Sequence, residues 1–232
     1  GSRHWPPTCQ VCLPKGRYAY VSSLWGANPG FALGALILGH ALRRSGTQYD
    51  LVLLHTGDVP KSTRALLSNI WVLRQVDFID ANAGLFKCKG GRFDGVFTKL
   101  HVLSLTAYEK VLMLDLDLVI LECPDDLFKL PTPAAMHRSV YGMEHGARID
   151  GRMFFTGAYV EADSEVEPWS QCSGINAGVM LLEPNSEVYE RALHEVKVNT
   201  HPERIAGSGP EQDYISRLYA PSWTNICVRW NY

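Results

Sequence analysis

Two stretches of this sequence, Leu51-Val52-Leu53-Leu54 and Val111-Leu112-Met113-Leu114, are apolar at every position. Each is too short for a buried helix, and without polar alternation neither face of an extended segment could meet water. They therefore read as the centres of strands, Tyr49–His55 and Lys110–Leu114, buried on both faces. Only a sheet covered by helices on both sides supplies that environment. The rest of the sequence provides the covers. Arg17–Ser23 reads as a first strand, a Gly/Asn/Pro turn follows at Trp25–Gly30, and Phe31–Arg44 has helical spacing of apolar residues. Lys61–Trp71 reads as a helix, with Ser62 or the residue before it as its cap, and Gln75–Ile79 as a strand. Val96–Tyr108 reads as helical. Pro131–Met136 and Gly178–Leu182 read as strands, and Ser186–Asn199 and Glu211–Tyr219 as helices. The pattern predicts an α/β fold: a mostly parallel sheet with helices on both faces, in a single domain over residues 17–232 after an extension, 1–16. Ser139–Glu167 is long, polar and weakly periodic, as a lid or substrate-binding element would be.

Composition closes off several classes. The formal charge is −2 and no Lys/Arg block occurs, so a nucleic-acid partner has no electrostatic footprint. The longest apolar stretch, Phe31–Leu38, falls far short of a membrane span. Gly1-Ser2 reads as an expression remnant, so an upstream leader or anchor would leave no trace. A cytoplasmic location is expected, with a Golgi lumen as the alternative if an anchor was removed. The six cysteines (Cys9, Cys12, Cys88, Cys123, Cys172, Cys227) lack the spacing of a disulfide scaffold. Cys9-x-x-Cys12 has no second close pair to complete a zinc site, so free or incidentally paired thiols are expected.

The chemistry concentrates at Asp115-Leu116-Asp117, directly after Val-Leu-Met-Leu. Asp-x-Asp alone carries little information, but a charged pair at the end of a buried strand costs solvation unless something compensates it. In an open α/β sheet this is also where ligands collect, beyond the strands' carboxyl ends. Two such carboxylates can share a hard cation, Mg²⁺ or Mn²⁺, that leaves positions open for phosphate oxygens. The competing reading is a solvated strand end with Asp117 bonding the turn. A dinucleotide-binding dehydrogenase would want Gly-x-Gly-x-x-Gly after the first strand, which is missing. A two-metal phosphohydrolase would want further His/Asp ligands, and none falls at suitable spacing.

Thr98-Lys99-Leu100-His101, Leu103-Ser104-Leu105, Tyr108 and the Asp115/Asp117 strand together resemble the core of glycosyltransferase family 8, the glycogenin and galactinol synthase group. Gly34-Ala35-Leu36-Ile37-Leu38-Gly39 is similar to the family's first helix. Gly174-Ile175-Asn176-Ala177-Gly178-Val179 is similar to its Asn-containing strand, and Gly209-Pro210-Glu211-Gln212-Asp213-Tyr214 to its acidic Gln segment. The order matches over Tyr18 to Asn231. The resemblance implies a GT-A fold and a retaining hexosyltransferase that uses a UDP-sugar and Mn²⁺ or Mg²⁺. By position, Ser22, Ser23, Leu24 and Phe31 would line the uracil and ribose pocket. Lys99 would reach the donor phosphates or sugar, and Arg92 is a looser phosphate candidate. Asp115 and Asp117 would hold the metal and ribose, with Leu116 between them on the donor-binding wall. Asn176, Ala177 and Gln212 would face the sugar, with Glu211 and Asp213 as the carboxylates beside the reacting carbon.

The acceptor would be a carbohydrate, polyol or protein hydroxyl, and a homodimer is an expected assembly. A glycogenin-like enzyme that glucosylates itself and a UDP-sugar-binding module without turnover are the alternatives. The family continues, after the equivalent of Trp230-Asn231-Tyr232, into a His-x-x-Gly-x-x-Lys-Pro-Trp segment. The His of that segment completes the metal shell, its Lys binds phosphate, and this sequence ends before it. His194 and His201, in a helix and at its exit, do not replace that His. His137 and His145 flank the long insert, where an acceptor contact competes with a plain core or surface role.

Overall fold

The computed structural model describes residues 17–81, 95–138, 142–149, 174–198, 210–220 and 222–231. Strand β1 (Tyr18–Leu24) leads to α1 (Pro29–Ser45), β2 (Asp50–His55), α2 (Lys61–Leu67) and β3 (Val72–Gln75). A 3₁₀ segment (Val96–Ser104), β4 (Lys110–Leu114), a second 3₁₀ segment (Pro124–Lys129) and β5 (Ala134–His137) follow. Then come β6 (Ile175–Leu182), α3 (Ser186–Lys197), α4 (Pro210–Leu218) and β7 (Thr224–Asn225). The seven strands form one sheet in the order β3-β2-β1-β4-β6-β5-β7.

Four of the pairings are parallel: β1 with β2 and with β4, β2 with β3, and β5 with β7. The α/β, mostly parallel architecture expected from the apolar runs is thus the one observed. The antiparallel strand β6, between β4 and β5, was not foreseen. Its side chains are almost all buried, and a run buried on both faces carries no mark of strand direction.

The sheet divides the core in two, and alternation along the strands sets the division. Tyr20, Leu51, Leu53, Leu112 and Leu114 meet α1 and the 124–129 segment on one face. Ala19, Val21, Val52, Leu54, Val111 and Met113 meet the 96–104 segment, α3 and α4 on the other. Helix ends follow local chemistry. Asn28 caps α1 by accepting from Gly30 N at 2.8 Å, Pro29 fills the first turn, and Gly46 closes the helix at φ 96°. Asn185 caps α3 in the same way. Helix α2 departs from expectation: Pro60 precedes it and no side chain caps it, so Ser62 does not play that part. The strand expected at 75–79 lies earlier, at β3, a largely exposed edge strand paired with β2. The helix expected over 96–108 is a 3₁₀ segment ending at Ser104. Seven of its nine residues are buried, so it has no polar face from which a helical period could be read. Among the described residues no helix is long and apolar enough to cross a membrane.

Candidate active site

Parallel pairing brings the carboxyl ends of β1, β2 and β4 to one edge of the sheet. Beyond β1 and β4 opens a cavity of about 320 Å³. Ser22, Ser23, Leu24, Trp25 and Phe31 line it, with Val96, Lys99, Asp115, Leu116, Asp117 and Glu211 completing the wall. The loop after β4 reaches this place because α1 lets it approach. A Cβ on Gly34 would lie 2.5 Å from the Leu116 carbonyl oxygen, so only glycine permits that contact. Ser22 is fully buried and donates to the Leu114 carbonyl at 2.7 Å, stapling β1 to β4 at the cavity floor.

The charged groups are tightly organised. Lys99, 8% exposed, places Nζ 2.8 Å from Asp115 Oδ1 and 3.2 Å from Glu211 Oε1. Burial works against its ammonium, but Asp115 and then Glu211 outweigh it and hold the pKa above the usual lysine range. Glu211 is buried too, and its Oε2 has no hydrogen-bond partner, an acceptor left open on the cavity wall. Asp115 is fixed by its own backbone, whose N–H donates to Gly178 O at 3.0 Å. Asp117 is exposed, as a carboxylate directed at a ligand or at water would be. No group of three or more His, Cys, Asp or Glu converges among the described residues. The two hard carboxylates Asp115 and Asp117 beside the cavity are of the chemistry that would suit a Mg²⁺- or Mn²⁺-class cation.

A second cluster adjoins the first. Between Ala135 and Met136 the register of β5 on β6 shifts, and the N–H groups of Ala177 and Gly178 are taken by side chains. Gln212 Oε1 accepts from Ala177 N and Asn176 Oδ1 from Gly178 N, both at 2.8 Å. Helix α4 is locked on beneath them. Ser216 Oγ accepts from Ile175 N at 3.0 Å and donates to Gln212 O at 2.7 Å, and a Cβ on Gly174 (φ 112°) would come within 2.8 Å of Ser216 Oγ. Asp213, 2% exposed, points to Arg138 and does not line the cavity.

No model of a protein family matches the chain. An uncharacterised protein of Acanthamoeba polyphaga mimivirus is 36% identical over 218 residues, covering 93% of this chain and 72% of the relative. Glycogenin-1 of Homo sapiens is 28% identical over 206 residues, and inositol phosphorylceramide glucuronosyltransferase 1 of Arabidopsis thaliana 26% over 213. The chain spans 48% and 32% of those two, about half and a third of their lengths. An active-site mutant of the glycosyltransferase-fold protein LgtC superposes on 90% of this chain, and the match spans 72% of LgtC, with a TM-score of 0.61 and 13% identity. The chain belongs to glycosyltransferase family 8.

Of the residues singled out from sequence, Ser22, Ser23, Leu24, Phe31, Lys99, Asp115, Leu116, Asp117 and Glu211 share the cavity. Asn176, Ala177 and Gln212 form the adjoining cluster, and Asp213 stands behind it. Arg92, Cys9, Cys12, His201 and most of the 139–167 insert lie outside the described residues. Trp25 and Val96 were missed. Trp25 sits one step beyond β1, and Val96 opens the 96–104 segment just after Gly95, so in each case the available cue is an apolar residue beside a turn. His137 is a core residue of β5, and His145 Nδ1 accepts from Cys227 N at 3.3 Å; neither lines the cavity. Cys227 is a half-buried free thiol.

Proposed function

We propose that the chain is a retaining glycosyltransferase that moves a hexose from a UDP-sugar to an acceptor hydroxyl with the help of Mn²⁺ or Mg²⁺. The observation that carries this is the make-up of the 320 Å³ cavity. Its β1 end offers apolar, aromatic and hydroxyl groups suited to a base and ribose; its β4 end offers Lys99, Asp115, Asp117 and Glu211. Asp115 and Asp117 would hold the cation, whose chemistry when bound is to neutralise the leaving diphosphate. Lys99 adds a second positive charge at the same end, fixed in place by Asp115 and Glu211 before any ligand arrives. Asn176 and Gln212 spend their carbonyl oxygens on the backbone, which leaves their NH₂ groups to donate to sugar oxygens.

Same-face attack suits this arrangement better than a covalent sugar–enzyme intermediate. Glu211 is ion-paired to Lys99 through Oε1, which lowers the nucleophilicity of its open Oε2, Asp213 is buried beside Arg138, and the Gln212 carboxamide is a poor nucleophile. In the proposed step the bond from the sugar's anomeric carbon to the diphosphate oxygen breaks as the acceptor oxygen bonds from the same side. The acceptor proton passes to the departing phosphate. A glycosyl adduct trapped on Glu211 or Asp213 would overturn this order of events.

The donor is tested by thermal stabilisation with UDP, GDP and several UDP-sugars, each with and without Mn²⁺. UDP should raise Tm, GDP should not, and Mn²⁺ should enlarge the UDP effect. In Asp117→Asn the Mn²⁺-dependent part should vanish. A metal increment that survives this change, or a preference for GDP, sinks the assignment.

A further inference from the structure

Asn231 follows a short 3₁₀ turn, Val228–Trp230, and its backbone N–H donates back to Val228 O at 3.2 Å. Arg229 anchors that turn to the chain beyond Asp117, donating to the two carboxylate oxygens of Glu122 at 2.8 and 2.7 Å. Two independent observations then set the Asn231 carboxamide beside the Asp115/Asp117 pair. The first is a second cavity, of about 490 Å³, whose wall holds Asn231, Trp230 and Val179 together with Asp117. Asp117 also lines the first cavity, so it stands between the two. The second is the bare backbone of Gly178. A Cβ there would lie 3.4 Å from Asn231 Oδ1, 3.9 Å from Asp115 Oδ2 and 3.1 Å from Asn176 Oδ1. Three oxygens thus face one small space that the missing side chain leaves open. Asn176 Oδ1 accepts from Gly178 N, and Asp115 gives its other oxygen, Oδ1, to Lys99. That leaves Asp115 Oδ2 and Asn231 Oδ1. Acceptor oxygens gathered without a donor repel one another, and a hard divalent cation turns the repulsion into attraction. Asn225, the other buried asparagine among the described residues, shows what a structural role looks like. Its Oδ1 accepts from His137 N and its Nδ2 donates to Met143 O and Glu144 O. Asn231 Nδ2 has no such partner, so no bond of that kind fixes its carboxamide for the fold's sake.

We propose that Asn231 is a further ligand of the donor-binding cation, its Oδ1 joining Asp115 and Asp117 on one Mn²⁺ or Mg²⁺. A neutral carbonyl oxygen is an ordinary ligand for such an ion and adds no charge to the pair. The proposal rests on the metal-dependent UDP reading above and adds to it a residue outside the Asp-x-Asp motif.

The test titrates Mn²⁺ into the chain held in excess UDP and reads the free ion by electron paramagnetic resonance, in wild type, Asn231→Leu and Asn231→Asp. Asn231→Leu keeps the size and charge but removes the oxygen. It should weaken Mn²⁺ binding about tenfold while metal-free UDP affinity stays within about twofold. Asn231→Asp adds charge to the same oxygen and should tighten Mn²⁺ binding about tenfold, since ligand charge tunes affinity for a hard cation. Wild-type Mn²⁺ affinity in Asn231→Leu overturns the inference. So does an Asn231→Asp that binds Mn²⁺ no tighter than wild type, which decides the matter if the leucine variant fails to fold. Metal-free UDP binding that falls along with Mn²⁺ binding in Asn231→Leu overturns it too, because Asn231 would then only shape the cavity. Each of these results leaves the donor reading intact. Wild type that takes up no Mn²⁺ in the presence of UDP overturns the metal dependence of that reading and this inference with it.

Discussion

Lys99 is the residue on which the site's order depends. From sequence alone a lysine in an apolar-rich segment reads as a solvated side chain, and only the company of Thr98, His101 and Asp115 singled it out. The fold buries it between two carboxylates, and a buried ion group is costly to break by removing one member. Lys99→Met should therefore destabilise the chain by about 3–5 kcal/mol, because Asp115 and Glu211 are left facing each other without their cation. Adding Glu211→Gln should return a good part of that loss, since it removes one stranded charge. Chemical denaturation of the single and double variants checks this, and a double variant no more stable than Lys99→Met would show that the triad is not coupled. The sign of the pH effect follows from the raised pKa. The contribution of Lys99 is complete below the unfolded lysine value of about 10.4 and is lost only as pH climbs through the higher folded value. What sequence could not supply here is the partner: Glu211 lies 112 positions away and is brought in by α4.

At the scale of elements, two joints decide whether the site exists. The first is α1 against the loop after β4. The Gly34 to Gly39 segment was legible as a motif, but its physical reason was not, because it is a contact with Leu116 across the sheet edge. Gly34→Ala would drive a methyl to 2.5 Å from a backbone oxygen that cannot rotate away. An expected loss of about 1–3 kcal/mol should come with weaker Mn²⁺-dependent UDP binding, since the loop that moves carries Asp115 and Asp117. A fully stable Gly34→Ala, or one that loses stability but binds UDP unchanged, would separate α1 from the site. The second joint is the 96–104 segment against α3. His101 accepts or donates at both ring nitrogens, with Asp77 O at 2.8 Å and Tyr189 OH at 2.9 Å. Burial lowers its pKa despite the Asp77 carbonyl, so the fold holds it neutral. A depressed histidine adds stability above its unfolded value of about 6.5 and loses it as pH falls through the folded one. Wild type should therefore lose Tm between about pH 6.5 and 5 more steeply than His101→Gln, which can keep a hydrogen bond without titrating. Parallel melting curves would refute the assignment. His101 thus belongs to the recognisable Thr98–His101 motif for a structural reason, while Lys99, two residues before it, faces the cavity.

Taken whole, the molecule joins a parallel half, β3-β2-β1-β4, to a partly antiparallel half, β6-β5-β7, and the site spans the seam. The parallel half was legible because strands buried on both faces leave unbroken apolar runs. The second half was less so: β5 and β7 are short, β6 hides its direction, and the side-chain bonds at Ala177 and Gly178 arise from a register shift that no local pattern announces. Under the proposed function this division would assign different parts of the donor to different halves. Ser23, Trp25 and the Asp115–Asp117 loop belong to the first, and Asn176, Ala177 and Gln212 to the second. A ligand lacking the sugar should then protect only one side of the seam. In hydrogen exchange, UDP with Mn²⁺ should slow amides around 22–25 and 115–117, leaving those at 175–178 and 211–213 near their free rates. A non-hydrolysable UDP-sugar should slow both groups, because its sugar meets the NH₂ groups of Asn176 and Gln212 and restrains the local opening of β6 and α4. The amides of Ala177 and Gly178 are the most informative, since each is held by one of those two side chains alone. If the sugar adds no protection there beyond that of UDP, it does not sit at the seam, and the roles given to Asn176 and Gln212 fall while the nucleotide cavity stands.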